Sequence, residues 1–300
     1  MNPESNRARA ADEARRRFVV RASAVMAGIG FAPARAADAP IRIGTTAVIL
    51  DNQVRFMRAW RDYLEPRLGR PVVFVQRGSY REISSLLISD DLEFAWVCGY
   101  PYVQHRDAFD LAALPNYHGK PLYRSYLIVP AEDRASTDFT ALAGKVFAYS
   151  DPDSNSGFLV PQFEMLSEGI NPSSHFLKAF FTYAHRKVVV AVASGVAQGG
   201  AVDGYVWDTL ALRTPELTDR TRIARKSDEY GFPPIVARRT LDRPTYARFR
   251  DTLLAMADDQ RGRELLQELN LEGFLPPDTG PFAGIAHILD YVSAREPLPT

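Results

Sequence analysis

From Ile41 onward the apolar positions switch repeatedly between two spacings. "IRIGTTAVI" (41–49) is a short run rich in β-branched residues, whereas "QVRFMRAWRDYLEPRLG" (53–69) places Val54, Met57, Trp60, Tyr63 and Leu64 at helical intervals and stops at Gly69. "PVVFVQRG" (71–78), "YREISSLLISD" (80–90) and "EFAWVCG" (93–99) continue as strand, helix and strand. Such a βαβαβ alternation with near-continuous apolar strands predicts a mostly parallel sheet with helices on both faces. The pattern then restarts. "PLYRSYLIVPAE" and "KVFAYSD" read as strands, "SGFLVPQFEMLSEG" and "RKVVVAVASG" as helices, and "AVDGYVWD" (201–208) as a strand with a polar exit at Asp208. After "RIARKSDEYGFPPIVARRTL" the chain returns to helical spacing through "PTYARFRDTLLAMADDQRGRELLQEL" and "FAGIAHILDYVSARE". Two α/β units of similar size without a low-complexity linker predict two lobes around a cleft.

Composition agrees with a globular chain: of 300 residues 46% are hydrophobic and 24% charged. The formal charge of zero conceals an asymmetry, because residues 1–36 hold seven of the 36 Lys and Arg but three of the 36 acids, leaving 29 and 33. That mildly acidic remainder excludes a nucleic-acid surface on charge grounds. The basic start, "ARRRFVVRASAVMAGIGFAPARAADAP", runs from Arg15, Arg16 and Arg17 into a weakly apolar stretch and then Ala34-Arg35-Ala36. It reads as an export signal of the twin-arginine type, cleaved near Ala36-Ala37, with an ordinary secretory signal or an amphipathic helix as the other readings. Cys98 is the single cysteine, so no internal disulfide can form in the periplasmic compartment such a signal implies. Phosphate-loop, zinc-protease and nucleophile-elbow motifs are absent, and the five histidines lack metal-ligand spacing, which argues against an enzyme and against a metal or other cofactor. A Cys98 nucleophile with a distant histidine is the residual enzymatic option.

The most informative stretch is "YSDPDSNSGFLVPQFEML" (149–166). Ser154, Asn155 and Ser156 precede a helical apolar run, so Ser154 or Ser156 falls at a helix N-cap, where unpaired amides and hydroxyls can either simply cap the helix or hold an anion. Taken with "FFTYAHRKVVVAVASG", "AVDGYVWD", "EFAWVCGYPYV" and "LYRSYLIV", in this order and spacing over roughly residues 41–250, the stretch resembles the periplasmic phosphate-, phosphite- and phosphonate-binding proteins of ABC transporters. That resemblance implies a type II periplasmic-binding fold, two doubly wound lobes joined by hinge strands: residues 37–122 in lobe 1, 123–228 in lobe 2, and 229–300 returning to lobe 1. It implies that Ser154, Asn155 and Ser156 hold a small tetrahedral oxyanion, that His185 donates to it, and that Tyr80, Tyr100 and Tyr123 close over it.

Three positions depart from the family's pattern. "GFPPIV" has Pro233 where aminoalkylphosphonate binders carry an acid, so Asp208 becomes the candidate amine or proton partner, or a plain loop cap. Arg124 stands where the family often has an apolar residue, and offers either a charge-assisted contact or a solvent-facing charge. Cys98 lies beside the predicted cleft as a buried small hydrophobe or, in a relative that presents arsenite or another oxyanion to a membrane sensor kinase, a thiol ligand. The expectation is a monomeric solute-binding protein that delivers its oxyanion to an inner-membrane ABC permease. The alternative is a sensory protein partnering a sensor histidine kinase.

Overall fold

The computed structural model describes residues 39–46 and 54–299. The predicted export signal lies outside the described residues. In chain order the elements are β1 (Ile41–Thr45), α1 (Val54–Leu68), β2 (Val72–Gln76), α2 (Tyr80–Ile88), β3 (Phe94–Trp96), α3 (Gly99–Gln104) and β4 (Phe109–Asn116). Then come β5 (Leu122–Pro130), β6 (Val146–Tyr149), a π turn (Asn155–Leu159) leading into α4 (Val160–Ser167), β7 (Lys178–Phe181), α5 (His185–Ala193), β8 (Gly199–Asp203), α6 (Gly204–Arg213) and β9 (Thr221–Gly231). The chain finishes with β10 (Ile235–Arg238), α7 (Arg243–Leu254), α8 (Gln260–Glu268), β11 (Gly273–Leu275) and α9 (Ala283–Ser293).

These strands form two sheets, one ordered β11-β4-β10-β3-β1-β2 and the other β7-β6-β8-β5-β9. The first is mixed rather than mostly parallel. β1 pairs in parallel with β2 and β3, as the βαβαβ pattern demands, but β10 runs antiparallel to both β3 and β4, and β11 antiparallel to β4. The reason is topological: β10 enters from the second sheet, so it runs against the strands laid down first. The chain passes between sheets at 117–121 and again at 232–234, and the Phe232 amide donates to the Pro121 carbonyl at 2.9 Å, tying the two crossings together.

Local chemistry sets the ends of the elements that carry the site. Gly69, at φ +65°, stops α1 in the left-handed conformation glycine tolerates. Ser79 and Glu82 form a reciprocal capping box at the start of α2. Asp203 caps α6: its Oδ1 accepts from the amides of Tyr205 at 2.9 Å and Val206 at 3.3 Å. The strand in "AVDGYVWD" therefore ends at Asp203, and Asp208, read from sequence as the strand exit, lies inside α6 instead. The apolar content of Tyr205, Val206 and Trp207 concealed the cap.

Each sheet has its own aromatic packing. Trp60 stacks on Phe74 and meets Trp96 edge-on in the first, while Phe147 packs on Phe139, Tyr149 and Phe176 in the second. The carboxyl ends of β1, β3, β6 and β8 bring Thr45, Cys98, Ser150 and Asp203 to the region between the sheets, the usual place for ligand in open α/β folds. Gly157 in the π turn is what lets β6 approach. A Cβ there would lie 1.8 Å from Ser150 Oγ and 2.6 Å from Ser150 Cβ. Gly157→Ala should therefore destabilise the fold by about 1–3 kcal/mol, as overpacking does, read as a lower urea midpoint at unchanged slope.

Candidate functional site

Ser154, Asn155 and Ser156 are fully buried, at the start of the π turn. Ser154 is the N-cap, its Oγ accepting from the Gly157 amide at 2.9 Å. Ser156 is held through its backbone, its carbonyl accepting from Ser125 Oγ at 2.6 Å, which leaves its own hydroxyl free. Asn155 donates through Nδ2 to the Tyr123 phenol oxygen at 3.0 Å, and its amide donates to Cys98 Sγ at 3.2 Å. π turns recur at functional sites because the widened turn aims side chains and amides that a regular helix would direct elsewhere.

His185, at the first position of α5, is completely buried. The Asp203 amide donates to its Nδ1 at 3.0 Å, so Nδ1 is unprotonated and the proton resides on Nε2. Nε2 faces the Tyr80 phenol at 3.2 Å and must therefore donate to it. The Tyr80 hydroxyl hydrogen is then free for a third partner. Burial pushes the His185 pKa down to about 3, so the ring stays neutral at physiological pH. Tyr123 accepts from Asn155 Nδ2 and its phenol also lies against Cys98 and Ser156. Burial holds both phenols well above their ordinary pKa.

Several polar atoms at the meeting of the sheets make no hydrogen bond within the protein: Ser150 Oγ, Asn155 Oδ1, Ser156 Oγ, Asp203 Oδ2 and, at the end of β1, Thr45 Oγ1. A buried polar atom without a partner costs about 1–3 kcal/mol, so a cluster of them marks a place built for a guest. Asp203 Oδ2 is the most costly of these. Burial raises the Asp203 pKa to about 8, against the two amides that its capping oxygen accepts and that lower it. Asp203 is not among the residues singled out from the sequence; its amide meets His185, whereas Asp208 does not. The signal was present, since an Asp followed by Gly after an apolar run is a cap pattern.

Arg124 and Asp208 do not join this cluster. Side chains alternate along β5, so Tyr123 and Ser125 turn to the π turn while Arg124 and Tyr126 turn away. Arg124 contacts the Ser227 carbonyl and Glu229, and Asp208 Oδ2 accepts from the phenols of Tyr117 at 2.8 Å and Tyr126 at 2.9 Å. Both line a groove of about 330 Å³ at the crossings between the sheets, together with His118, Lys120 and Lys226, and Tyr123 borders that groove as well.

The sheets meet through further contacts. The Tyr80 amide donates to Asp151 Oδ2 at 3.2 Å, and Arg81 makes a two-pronged pair with Asp153 at 3.1 and 2.8 Å. Tyr100 is buried next to that pair, and burial followed by the Asp153 charge raises its pKa to about 12. Cys98 is buried, and desolvation raises its thiol to about 11, so it stands here as a neutral acceptor of the Asn155 amide rather than as a thiolate. Among the described residues no group of His, Cys, Asp and Glu could hold a metal, and no helix is long and apolar enough to cross a membrane.

Residues 50–280 match the family model described as "ABC transporter, phosphonate, periplasmic substrate-binding protein". The chain is 27% identical over 162 residues to the "Phosphate-import protein PhnD" of Mycolicibacterium smegmatis, a match spanning 50% of this chain and 49% of that protein. It is 24% identical over 254 residues to the "Phosphonates-binding periplasmic protein" of Escherichia coli, covering 81% of this chain and 74% of that one. In three dimensions it is similar to a binding protein component of an ABC phosphonate transporter from Pseudomonas aeruginosa, with a TM-score of 0.79 at 20% identity, covering 85% and 87% of the two chains. The fold is thus the type II periplasmic-binding one, two doubly wound lobes joined by hinge strands, and the chain belongs to the phosphonate family of periplasmic substrate-binding proteins of ABC transporters.

Proposed function

We propose that this protein captures a small tetrahedral phosphorus oxyanion between its two sheets, in the periplasm after removal of the leader near Ala36-Ala37, and delivers it as a monomer to an inner-membrane ABC permease. The observation that carries the reading is the buried, uncharged array where the sheets meet: the Tyr80 phenol, bonded in the protein only to His185, with Ser156 Oγ and Asp203 Oδ2, which have no protein partner. Hydroxyl donors satisfy an oxyanion without a cation, and they do so strongly in a water-excluded site. Asp203 then sets the class of anion. A carboxylate and a fully ionised oxyanion cannot share a buried site, so one proton must lie between them, carried by Asp203 or brought by the ligand. A hydrogenphosphate-like ligand brings its own, whereas sulfate has none to offer.

Calorimetric titration with phosphate, phosphite and methylphosphonate tests the reading. At least one should bind, and Ser156→Ala should weaken it about 10- to 100-fold, the worth of a hydrogen bond to a charged group. Ser154→Ala should instead lower stability by about 1 kcal/mol, as loss of a cap does, with a much smaller effect on affinity. If Ser156→Ala bound as tightly as the parent, the cradle would lie elsewhere.

The Asp203 proton gives a second outcome with a definite sign. An Asp pKa near 8 in the closed cleft, against about 4 when solvated, means that closure takes up a proton between those values. Sulfate affinity should therefore fall as pH rises from about 4 to about 8, approaching tenfold per unit. A phosphorus oxyanion that carries its own proton should keep its affinity until it deprotonates. Asp203→Asn, which donates without titrating, should flatten the sulfate profile; an unchanged profile would remove Asp203 from the site.

A further inference from the structure

The groove of about 330 Å³ at the crossings is lined by none of Ser154, Asn155, Ser156, His185 and Asp203. The first crossing builds its rim. His118 and Gly119 take left-handed backbone, φ +52° and +77°, in the tight turn that pairs Tyr117 with Lys120. The rings of Tyr117 and Tyr205, both buried, meet edge-on with centroids 5.3 Å apart, and Tyr126 on β5 adds a third aromatic ring to the lining.

The charges in the groove are unevenly matched. Glu229 pairs with Lys120 at 3.6 Å and with Arg124 at 3.4 Å, so these three satisfy one another. Asp208 and Lys226 make no ion pair among the described residues. They flank a single ring: Asp208 Oδ2 accepts from the Tyr126 phenol at 2.9 Å, at the ring's edge, and Lys226 Nζ stands over its face, 4.7 Å from the centroid. The Tyr117 phenol donates to the same carboxylate oxygen at 2.8 Å, and Oδ1 has no protein partner. Burial, and after it the Asp208 charge, raise both phenols, so they remain donors and the carboxylate remains the acceptor. A bare anion entering the groove would meet Asp208, and a bare cation would meet Lys226. A guest with both charges meets neither penalty. Its ammonium suits the carboxylate and the tyrosine rings, its acidic group suits Lys226, and few bonds need separate the two because they address the edge and the face of one ring.

We infer that this groove is a second ligand site, which takes a compact zwitterion of the small amino-acid class, its ammonium at Asp208 beside Tyr117 and Tyr126 and its acidic group at Lys226. The inference goes beyond the oxyanion reading and does not depend on it. Tyr123 is the residue that touches both places, since its phenol reaches Asn155 and its ring borders the groove.

Isothermal titration of the purified protein with glycine and β-alanine, against ethylamine and propionate as single-charge controls, decides the matter. At least one zwitterion should bind at least about tenfold more tightly than either control, because only it meets both charges. Asp208→Asn should weaken that zwitterion about 10- to 100-fold, the worth of a hydrogen bond to a charged group. Lys226→Gln, at an exposed position, should weaken it about two- to fivefold and decides alone if the asparagine variant does not fold. Ser156→Ala should leave zwitterion binding as it is, which separates the groove from the oxyanion cradle. Failure of both zwitterions to bind, no preference over the controls, an unchanged affinity in either groove variant, or a loss in Ser156→Ala overturns the inference. The oxyanion reading stands or falls separately, on the phosphate, phosphite and methylphosphonate titrations.

Discussion

The hydrogen bond from the Asp203 amide to His185 Nδ1 sets the polarity of the cleft. It fixes which imidazole nitrogen keeps its proton, makes His185 a donor to Tyr80, and so turns the Tyr80 phenol outward as a donor in its own right. It also joins the end of β8 to the first turn of α5. The residue that provides this amide uses its side chain to cap α6 with one oxygen, and leaves the other oxygen unpartnered. One aspartate thus orients the histidine, starts a helix and keeps one carboxyl oxygen without a protein partner.

Neutral dipoles, rather than paired charges, dominate the centre of the site. The arginines near it are committed elsewhere, Arg81 to Asp153 and Arg124 to Glu229. The arrangement follows from desolvation: a buried cation would have to be stripped of water before any anion arrived, whereas hydroxyls and amides cost far less to bury while they wait. The charged pair Arg81–Asp153 stands at the margin, where Arg81 is still about half exposed, and links α2 to the loop before the π turn as the sheets meet.

The two faces of β5 show how one strand serves two environments. Tyr123 and Ser125 support the π turn, while Arg124 and Tyr126 line the groove at the crossings. Tyr123 meets both, since its phenol reaches Asn155 and its ring also lines that groove. The two crossings between the sheets are tied to each other by the bond from the Phe232 amide to the Pro121 carbonyl.

What the sequence by itself determined was the alternation of strands and helices, the placement of the Ser154–Ser156 turn at a helix start, and the motif order that identifies the family. These are local or ordered properties: the spacing of apolar residues, a cap pattern, a series of short matches. Tertiary structure decided the rest. Which serine caps and which remains free depended on Gly157 lying against Ser150, a contact no periodicity reveals. Which of Asp203 and Asp208 meets His185 depended on one helix boundary, since Asp203 caps α6 whereas Asp208 lies within it and lines the groove at the crossings. Strand alternation puts Arg124 on the face opposite Tyr123, and only the tertiary structure shows that the π turn lies against the Tyr123 face. The antiparallel entry of β10 was likewise invisible locally, because strand direction within a sheet is set by where the chain has been and not by the residues of the strand.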